Sequence, residues 1–274
     1  MNDKIVQKIE SLPPLPKTII EIEEFRKKQD KELSELLKIV EKDALIISTL
    51  LKIANSAMFG FRTKVEAPSR ALNLLGINFT VSIAIGGSIQ NLLKANLKPY
   101  GITSDDFMQG SNIASSLANV WLSSFEVEHQ DDIILASLLQ EVGKFVLASV
   151  IVSEGKQDEF LARLEDSCEK DVEMEFLGTT TAKVTAQIFR HWKLSDNLIT
   201  TIESVEDMAH VEAGFKQRVQ ILDVIKTAAS VIDPLSDENI QKALEKAKAY
   251  GFDTELLKAS IEEVKTKLAN NEEL

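Results

Sequence analysis

Residues 136–147 read ASLLQEVGKFVL. Apolar side chains recur there at three- and four-residue spacing, the pattern of a helix with one side turned to a core. An amide and a carboxylate, Gln140 and Glu141, interrupt that side at its middle. Ile134, Leu138, Glu141 and Phe145 stand four, three and four positions apart, so a helix through them carries Glu141 on the apolar stripe. A carboxylate buried there without a partner is costly, so it must find a donor or take up a proton. Lys144, three residues on, or a helix terminus could serve. The alternative is an exposed Glu141 at the stripe's edge.

Outward from this stretch the same 3.6-residue period dominates. It predicts helices near residues 2–11, 17–28, 68–76, 79–94, 104–125 and 131–151, with Leu33, Leu36, Leu37 and Val40 on one helical face and Leu45, Thr49, Leu50 and Ile53 continuing the pattern after Asp43. It continues near 157–166, 170–177, 180–191, 195–205, 213–231, 237–249 and 254–270. Asp43 is placed to cap the helix that begins at residue 44. No run alternates apolar and polar residues with period two between turn signals, so no sheet is expected. The fold class is therefore all-α, with residues 12–205 as one body and 206–274 as C-terminal helices packed on it. Two stretches rich in small residues, IAIGGSI and GSNIASSLANVWLSSF, suit central helices that others must approach closely.

Composition narrows the function. The 274 residues carry a formal net charge of −12 and include one cysteine, Cys168. The acidic balance argues against a nucleic-acid surface, which needs clustered lysine and arginine. A lone thiol builds no disulfide framework, and the first residues are charged and amphipathic; both point to a reducing, cytoplasmic setting. Residues 71–93 lack charge, but ten of the 23 are polar or glycine. A membrane span needs ~20 predominantly apolar residues, so two buried helices meeting at Gly76–Asn78 are expected instead of insertion.

Five pieces stand in order along the chain: LPPLP (12–16), LLKIANSAMFGF (50–61), SRALNLLGI (69–77), ASLLQEVGKFVL, and EFLGTTTAKVTAQIFRHWKLSDNLITTI (175–202). Each has a physical reading. Pro13, Pro14 and Pro16 hold an extended segment into a helix start. Asn55 and Ser56 end a helix and can satisfy its last carbonyls, with Gly60 permitting the following turn. Gly76 ends the LLG segment. In this order the pieces resemble the HDOD family, the HD-related output domain of bacterial signalling proteins, over residues 12–205.

That resemblance implies an HD-domain-like multi-helix bundle and locates a cleft. In catalytic HD proteins a His-Asp pair on the helix at 136–147 binds a metal, together with a His from an earlier helix and a later Asp. The metal then activates a water that attacks a phosphoester. Here Gln140 and Glu141 occupy the His-Asp positions. Gly110 falls where the earlier His belongs, Thr181 where a third His belongs, and Ser204 and Val205 where a His pair belongs. Asp223 is the remaining candidate for the last carboxylate. The chain's three histidines, His129, His191 and His210, form no His-x-x-x-His pair. His129 and Asp132 have a spacing compatible with metal binding, but such pairs are common by chance.

The expectation is a non-catalytic signalling module without a metal or other cofactor. It would act by binding a signalling partner protein or a small molecule. A metal-dependent phosphohydrolase with a rearranged site is the alternative from another class, using Glu141, Asp223 and His191. A metal-free nucleotide sensor is the third reading.

Overall fold

A computed structural model describes residues 2–56 and 63–269 of the chain. Among the described residues there are helices and turns but no strand. Gly60, expected to permit a turn, lies outside the described residues.

The chain begins with α1 (Asp3–Glu10). The extended LPPLP segment then enters α2 (Lys17–Arg26) directly behind Pro16. Pro13 is pinned from far along the chain: the indole Nε1–H of Trp192 donates to its carbonyl at 2.9 Å. After α3 (Leu33–Val40), Asp43 caps α4 (Ala44–Ala54) by accepting from the Leu45 and Ile46 amides. Asn55 closes that helix. Its Nδ2 donates to Leu51 O at 2.8 Å and Val65 O at 2.7 Å, while its Oδ1 accepts from Val65 N at 2.8 Å. Ser56 Oγ donates to Ile53 O at 2.7 Å.

The uncharged stretch is two helices, α5 (Pro68–Leu75) and α6 (Ile77–Leu92), bent by 116°. Gly76 makes the corner at φ +76°, a conformation that favours glycine. From Phe79 to Gln90 every side chain of α6 is buried, which makes it a central helix. A Cβ on Gly86 would come 2.2 Å from Leu138 Cδ2, and one on Gly87 2.9 Å from Thr49 Cγ2. The two glycines thus let neighbouring helices close onto α6.

Next come α7 (Ser104–Leu122), opened by a Thr103–Asp106 capping box, and α8 (Gln130–Leu139). Here the structure departs from the periodicity. The helix expected over 131–151 is two helices, α8 and α9 (Gly143–Ser153), separated by a break at residues 140–142. Through the break the backbone tightens to three-residue hydrogen bonds, Val142 N to Leu139 O at 3.1 Å and Lys144 N to Glu141 O at 3.0 Å. The stretch Gln130–Ser153 is long and apolar enough to cross a membrane, but 94% of its apolar window is buried inside the protein.

The remainder is α10 (Gln157–Glu165), α11 (Glu169–Leu177), α12 (Thr181–His191), α13 (Asp196–Glu203), α14 (Lys216–Ala228), α15 (Asp237–Tyr250) and α16 (Thr254–Ala269). The last three share the core of the rest. α14 lies on α8 and α13, α15 on α14, and α16 on α7. Phe252, between α15 and α16, sits edge-on to Trp121 of α7 with ring centres 5.5 Å apart. Burial of Leu257, Ile261 and Val264 completes this contact.

Candidate functional site

The break between α8 and α9 is held open from α12. The Thr185 hydroxyl accepts from Gly143 N at 2.9 Å and donates to Gln140 O at 3.0 Å, so one side chain satisfies the donor and the acceptor that the break frees. The two helices touch closely here. A Cβ on Gly143 would lie 2.5 Å from Thr181 O and 2.9 Å from Thr185 Oγ1.

Glu141, at the break, points inward and is 6% exposed. Its Oε2 meets the Lys144 ammonium at 2.7 Å. Its Oε1 faces the Lys226 ammonium of α14 at 3.3 Å, an ion pair without hydrogen-bond alignment. Lys144 also pairs with Glu169 at the start of α11, and Lys226 with Glu206 at 2.8 Å. Burial pushes the Glu141 carboxyl up, but the two ammonium groups outweigh it and hold it at about 2. Burial likewise opposes charge on both lysines, and the carboxylates around them overcome it and raise both.

A second buried carboxylate stands behind the first. Glu173 of α11 is fully buried. It accepts from Tyr100 Oη at 2.8 Å and from Thr181 N at 2.6 Å, and also bonds the Thr181 hydroxyl. Lys144 Nζ lies 4.6 Å from the centre of the Tyr100 ring. Burial dominates at Glu173, and with Glu169 nearby it raises the carboxyl to about 7 against the pull of Lys144 and Thr181.

Above Glu141 is a cavity of about 40 Å³, lined in part by Ser111, Ser137, Gln140, Glu141, Glu169 and Lys226. It shares Glu169, Lys226 and Ser230 with an outer groove of about 650 Å³. Thus Gln140 and Glu141 come together in the expected cleft, but the other expected positions do not join them. Gly110 is packed away: its Cβ position would fall 2.7 Å from Val231 Cα, and its neighbour Ser111 lines the cavity instead. Thr181 is spent on Glu173. Ser204 caps α13 and starts a 3-10 turn, Ser204–Glu206, in which Val205 is buried. Asp223 reaches only the outer groove, where Lys246 and Tyr250 each bond it at 2.7 Å and dock α15. His191 is exposed. Asp132 is held by Arg26, which also holds Glu23, and His129 Nδ1 is 3.7 Å from Asp132.

Lys226, Glu169, Glu206 and Glu173 belong to the site but escape a reading by motif. Lys226 left one trace: with Asp223 it is the only charge in the run from Val219 to Ile232. The donor set does not suit a catalytic metal. Two ammonium groups already face the central carboxylate, and a divalent cation beside it would meet both. Among the described residues, no three His, Cys, Asp or Glu side chains stand together as a metal site.

A protein-family model described as "HDOD domain" matches residues 12–208. An uncharacterised protein of Treponema pallidum (strain Nichols) is 24% identical over 226 residues, 77% of this chain and 41% of that protein. The chain therefore spans about two fifths of the length of that relative. Among solved structures, a candidate signal transduction protein from Marinobacter aquaeolei VT8 superposes with a TM-score of 0.74 at 21% identity, covering 99% of this chain and 64% of that one. An HDOD domain protein of unknown function from Geobacter sulfurreducens gives 0.72 at 16% identity, covering 96% and 94%. A candidate phosphohydrolase from Shewanella amazonensis SB2B gives 0.65 at 18%, covering 97% and 98%. At these identities the structures establish the all-helical fold alone.

Proposed function

The chain belongs to the HDOD domain family, and on that footing we propose that it is a non-catalytic signal-transduction module that works by recognition of a partner or a small molecule. One observation carries the reading. At the position where catalytic HD proteins place a metal-binding carboxylate, Glu141 is neutralised by Lys144 and Lys226 inside the protein. A hydrolytic metal centre needs several deprotonated ligands and an open position for water. This cleft offers two carboxylates, Glu141 and Glu169, each already paired with a fixed cation, together with an amide and hydroxyls. The apolar frame around it, from α6 to α14, holds the cleft in place without those ligands.

Metal content by mass spectrometry after expression in manganese-, iron- and zinc-supplemented medium, followed by phosphodiester and nucleotide hydrolysis assays, tests the proposal. The expected result is no stoichiometric metal and no turnover. About one equivalent of metal, with turnover abolished by Glu141→Ala, would establish the phosphohydrolase instead.

A further inference from the structure

Arg218 is a buried cation without a counter-ion. It stands in the first turn of α14 and is 8% exposed. Its Nη2 donates to Gly214 O at 3.1 Å, and its guanidinium lies over the Phe215 ring, 4.5 Å from the ring centre. Nη1 is buried and has no hydrogen-bond partner, and among the described residues no carboxylate pairs with the guanidinium. Buried charges are ordinarily paired, because taking one out of water alone is costly. The ring face offsets part of that cost. What is missing is an anion.

The fold leaves a place for one. Gly214 and Phe215 belong to a 3-10 turn, Ala213–Phe215, that runs straight into α14. By bonding Gly214 and covering Phe215, the Arg218 side chain folds back over the N-terminus of the helix, where the dipole carries about half a positive charge. Phe215 offers no capping side chain, and the first turn of α14 holds no acid. Gly214 is exposed, and a Cβ built on it would meet nothing within 4 Å, so the turn is open beside the residue that Arg218 holds. Charge then selects the kind of anion. Glu203, Glu206, Asp207 and Glu212 precede the turn, and the whole chain carries −12. They oppose a dianionic phosphate, which one guanidinium would not neutralise. A carboxylate brings a single charge, and its two oxygens match the planar fork of a guanidinium.

We infer that the turn from Gly214 to Arg218 is a binding site for an external carboxylate, taken in a fork by Arg218 Nη1 and Nη2 at the N-terminus of α14. The acid displaces Gly214 O from Nη2 and gives Nη1 its partner. Glu212 is the nearest acid before the turn, but it is exposed, its carbonyl accepts from Phe215 N at 2.9 Å, and its side chain pairs with no cation among the described residues. The carboxylate therefore comes from outside the chain, as a free small acid or as an acidic side chain of a partner protein. The site shares no residue with the cleft at Glu141, so its failure would leave the reading of that cleft untouched.

Heteronuclear NMR of the full chain, labelled with nitrogen-15 and held at constant ionic strength with sodium chloride, tests it. Sodium acetate is expected to shift the Arg218 Nε–H signal and the backbone amides of residues 216–219 saturably, and inorganic phosphate to bind more weakly. Arg218→Lys keeps the charge without the fork and should weaken acetate about tenfold. Arg218→Met keeps an apolar stem. It should abolish the saturable shift and leave the melting temperature unchanged or higher, since it removes an unpaired buried charge. The spectra themselves report whether each variant is folded. A blocked glycyl-glutamyl-glycine peptide that binds more tightly than acetate assigns the carboxylate to a partner's side chain, and equal or weaker binding assigns it to a free acid. No saturable shift with acetate, the same shift in folded Arg218→Met, or phosphate binding at least as tightly as acetate would overturn the inference. So would a fall in melting temperature in both Arg218→Met and Glu212→Gln, which would make Glu212 the counter-ion of Arg218.

Discussion

Lys144 Nζ lies 2.7 Å from Glu141 Oε2, and both side chains are buried at the break between α8 and α9. Each supplies the nearer part of the charge the other needs to stay ionised away from water, with Lys226 also facing Glu141 and Glu169 also facing Lys144. Removing one partner of such a pair strands the other, typically at about 3–5 kcal/mol, whereas replacing both with apolar groups is far milder. Lys144→Met should therefore destabilise the protein by about that amount in guanidinium denaturation. The double variant Glu141→Leu/Lys144→Met should recover most of the loss. Equal stability of Lys144→Met and the parent would show that the pair is not structural.

The Glu141 carboxyl also sets an acid limit. Burial raises it, the two lysines lower it further, and it is held at about 2, below its ordinary value near 4.5. A lowered carboxyl contributes stability that is fully present above the unfolded value and is lost as pH falls through the folded one. The window is thus roughly pH 4.5 down to 2, and the contribution is about 3 kcal/mol at most. Stability measured across that window should fall less steeply in Glu141→Leu/Lys144→Met than in the parent.

Glu173 works in the opposite direction. Burial raises it to about 7, so the folded state keeps a proton that the unfolded chain releases near 4.5. Its contribution is present below that value and is lost as pH rises towards 7, again on the order of 3 kcal/mol. Thr181 N can only donate, which fixes Oε2 as an acceptor and leaves Oε1, between the hydroxyls of Tyr100 and Thr181, to carry the proton. Glu173→Gln reproduces that neutral form. It should flatten the decline between pH 5 and 7 and leave the protein relatively more stable at pH 8. An unchanged slope would mean that Glu173 is ionised when folded.

Asn55 tests the family motif at the end of α4. Its amide bonds Val65 N and Val65 O in both directions and also holds Leu51 O, so it ties two chain segments ten residues apart. Asn55→Asp keeps the shape but loses the two donated bonds. A cost of about 2 kcal/mol is expected, against about 3 kcal/mol for Asn55→Ala, which loses all three bonds, at roughly 1 kcal/mol for each bond lost. A neutral Asn55→Asp would reduce the motif to a helix end.

What the sequence reveals divides along the range of the interaction. Helices, the Asp43 cap and the Gly76 corner depend on neighbours within about four residues, and all of these are legible in the order of side chains. The inward turn of Glu141 is legible for the same reason: the break keeps nearly helical backbone angles, so the four-three-four spacing still aims it at the core. Lys226 answers Glu141 from 85 positions away, and Glu173 meets Tyr100 across 73; no local pattern announces such pairs. The family resemblance points to a cleft at Gln140 and Glu141 but does not name what fills it. Gly110 and Asp223 align with ligand positions, while packing on Val231 and docking of α15 decide where they sit.

The break itself shows this division most sharply and supports the last prediction. Helical spacing continues on both sides of Gln140 and Glu141, from Ile133 to Ile151, so periodicity reads one helix. The interruption is imposed by Thr185, whose hydroxyl serves Gly143 N and Gln140 O at once. Thr185→Val keeps the side chain's shape and removes the hydroxyl. It leaves one buried donor and one buried acceptor unpaired, each costing about 1–3 kcal/mol. Thr185→Ser keeps the hydroxyl and loses one methyl, so it should cost less, about 1 kcal/mol. Gly143→Ala probes the same contact from the other side. Its Cβ would lie 2.5 Å from Thr181 O, so α12 must retreat, at about 1–3 kcal/mol. Because Glu141 sits inside the break, Thr185→Val should also loosen the Glu141–Lys144 pair. Hydrogen exchange should then accelerate at residues 140–145 ahead of the rest of α8 and α9. If Thr185→Val and Thr185→Ser prove equally stable, with unchanged exchange there, the break is built into residues 140–142 and α12 merely rests against it.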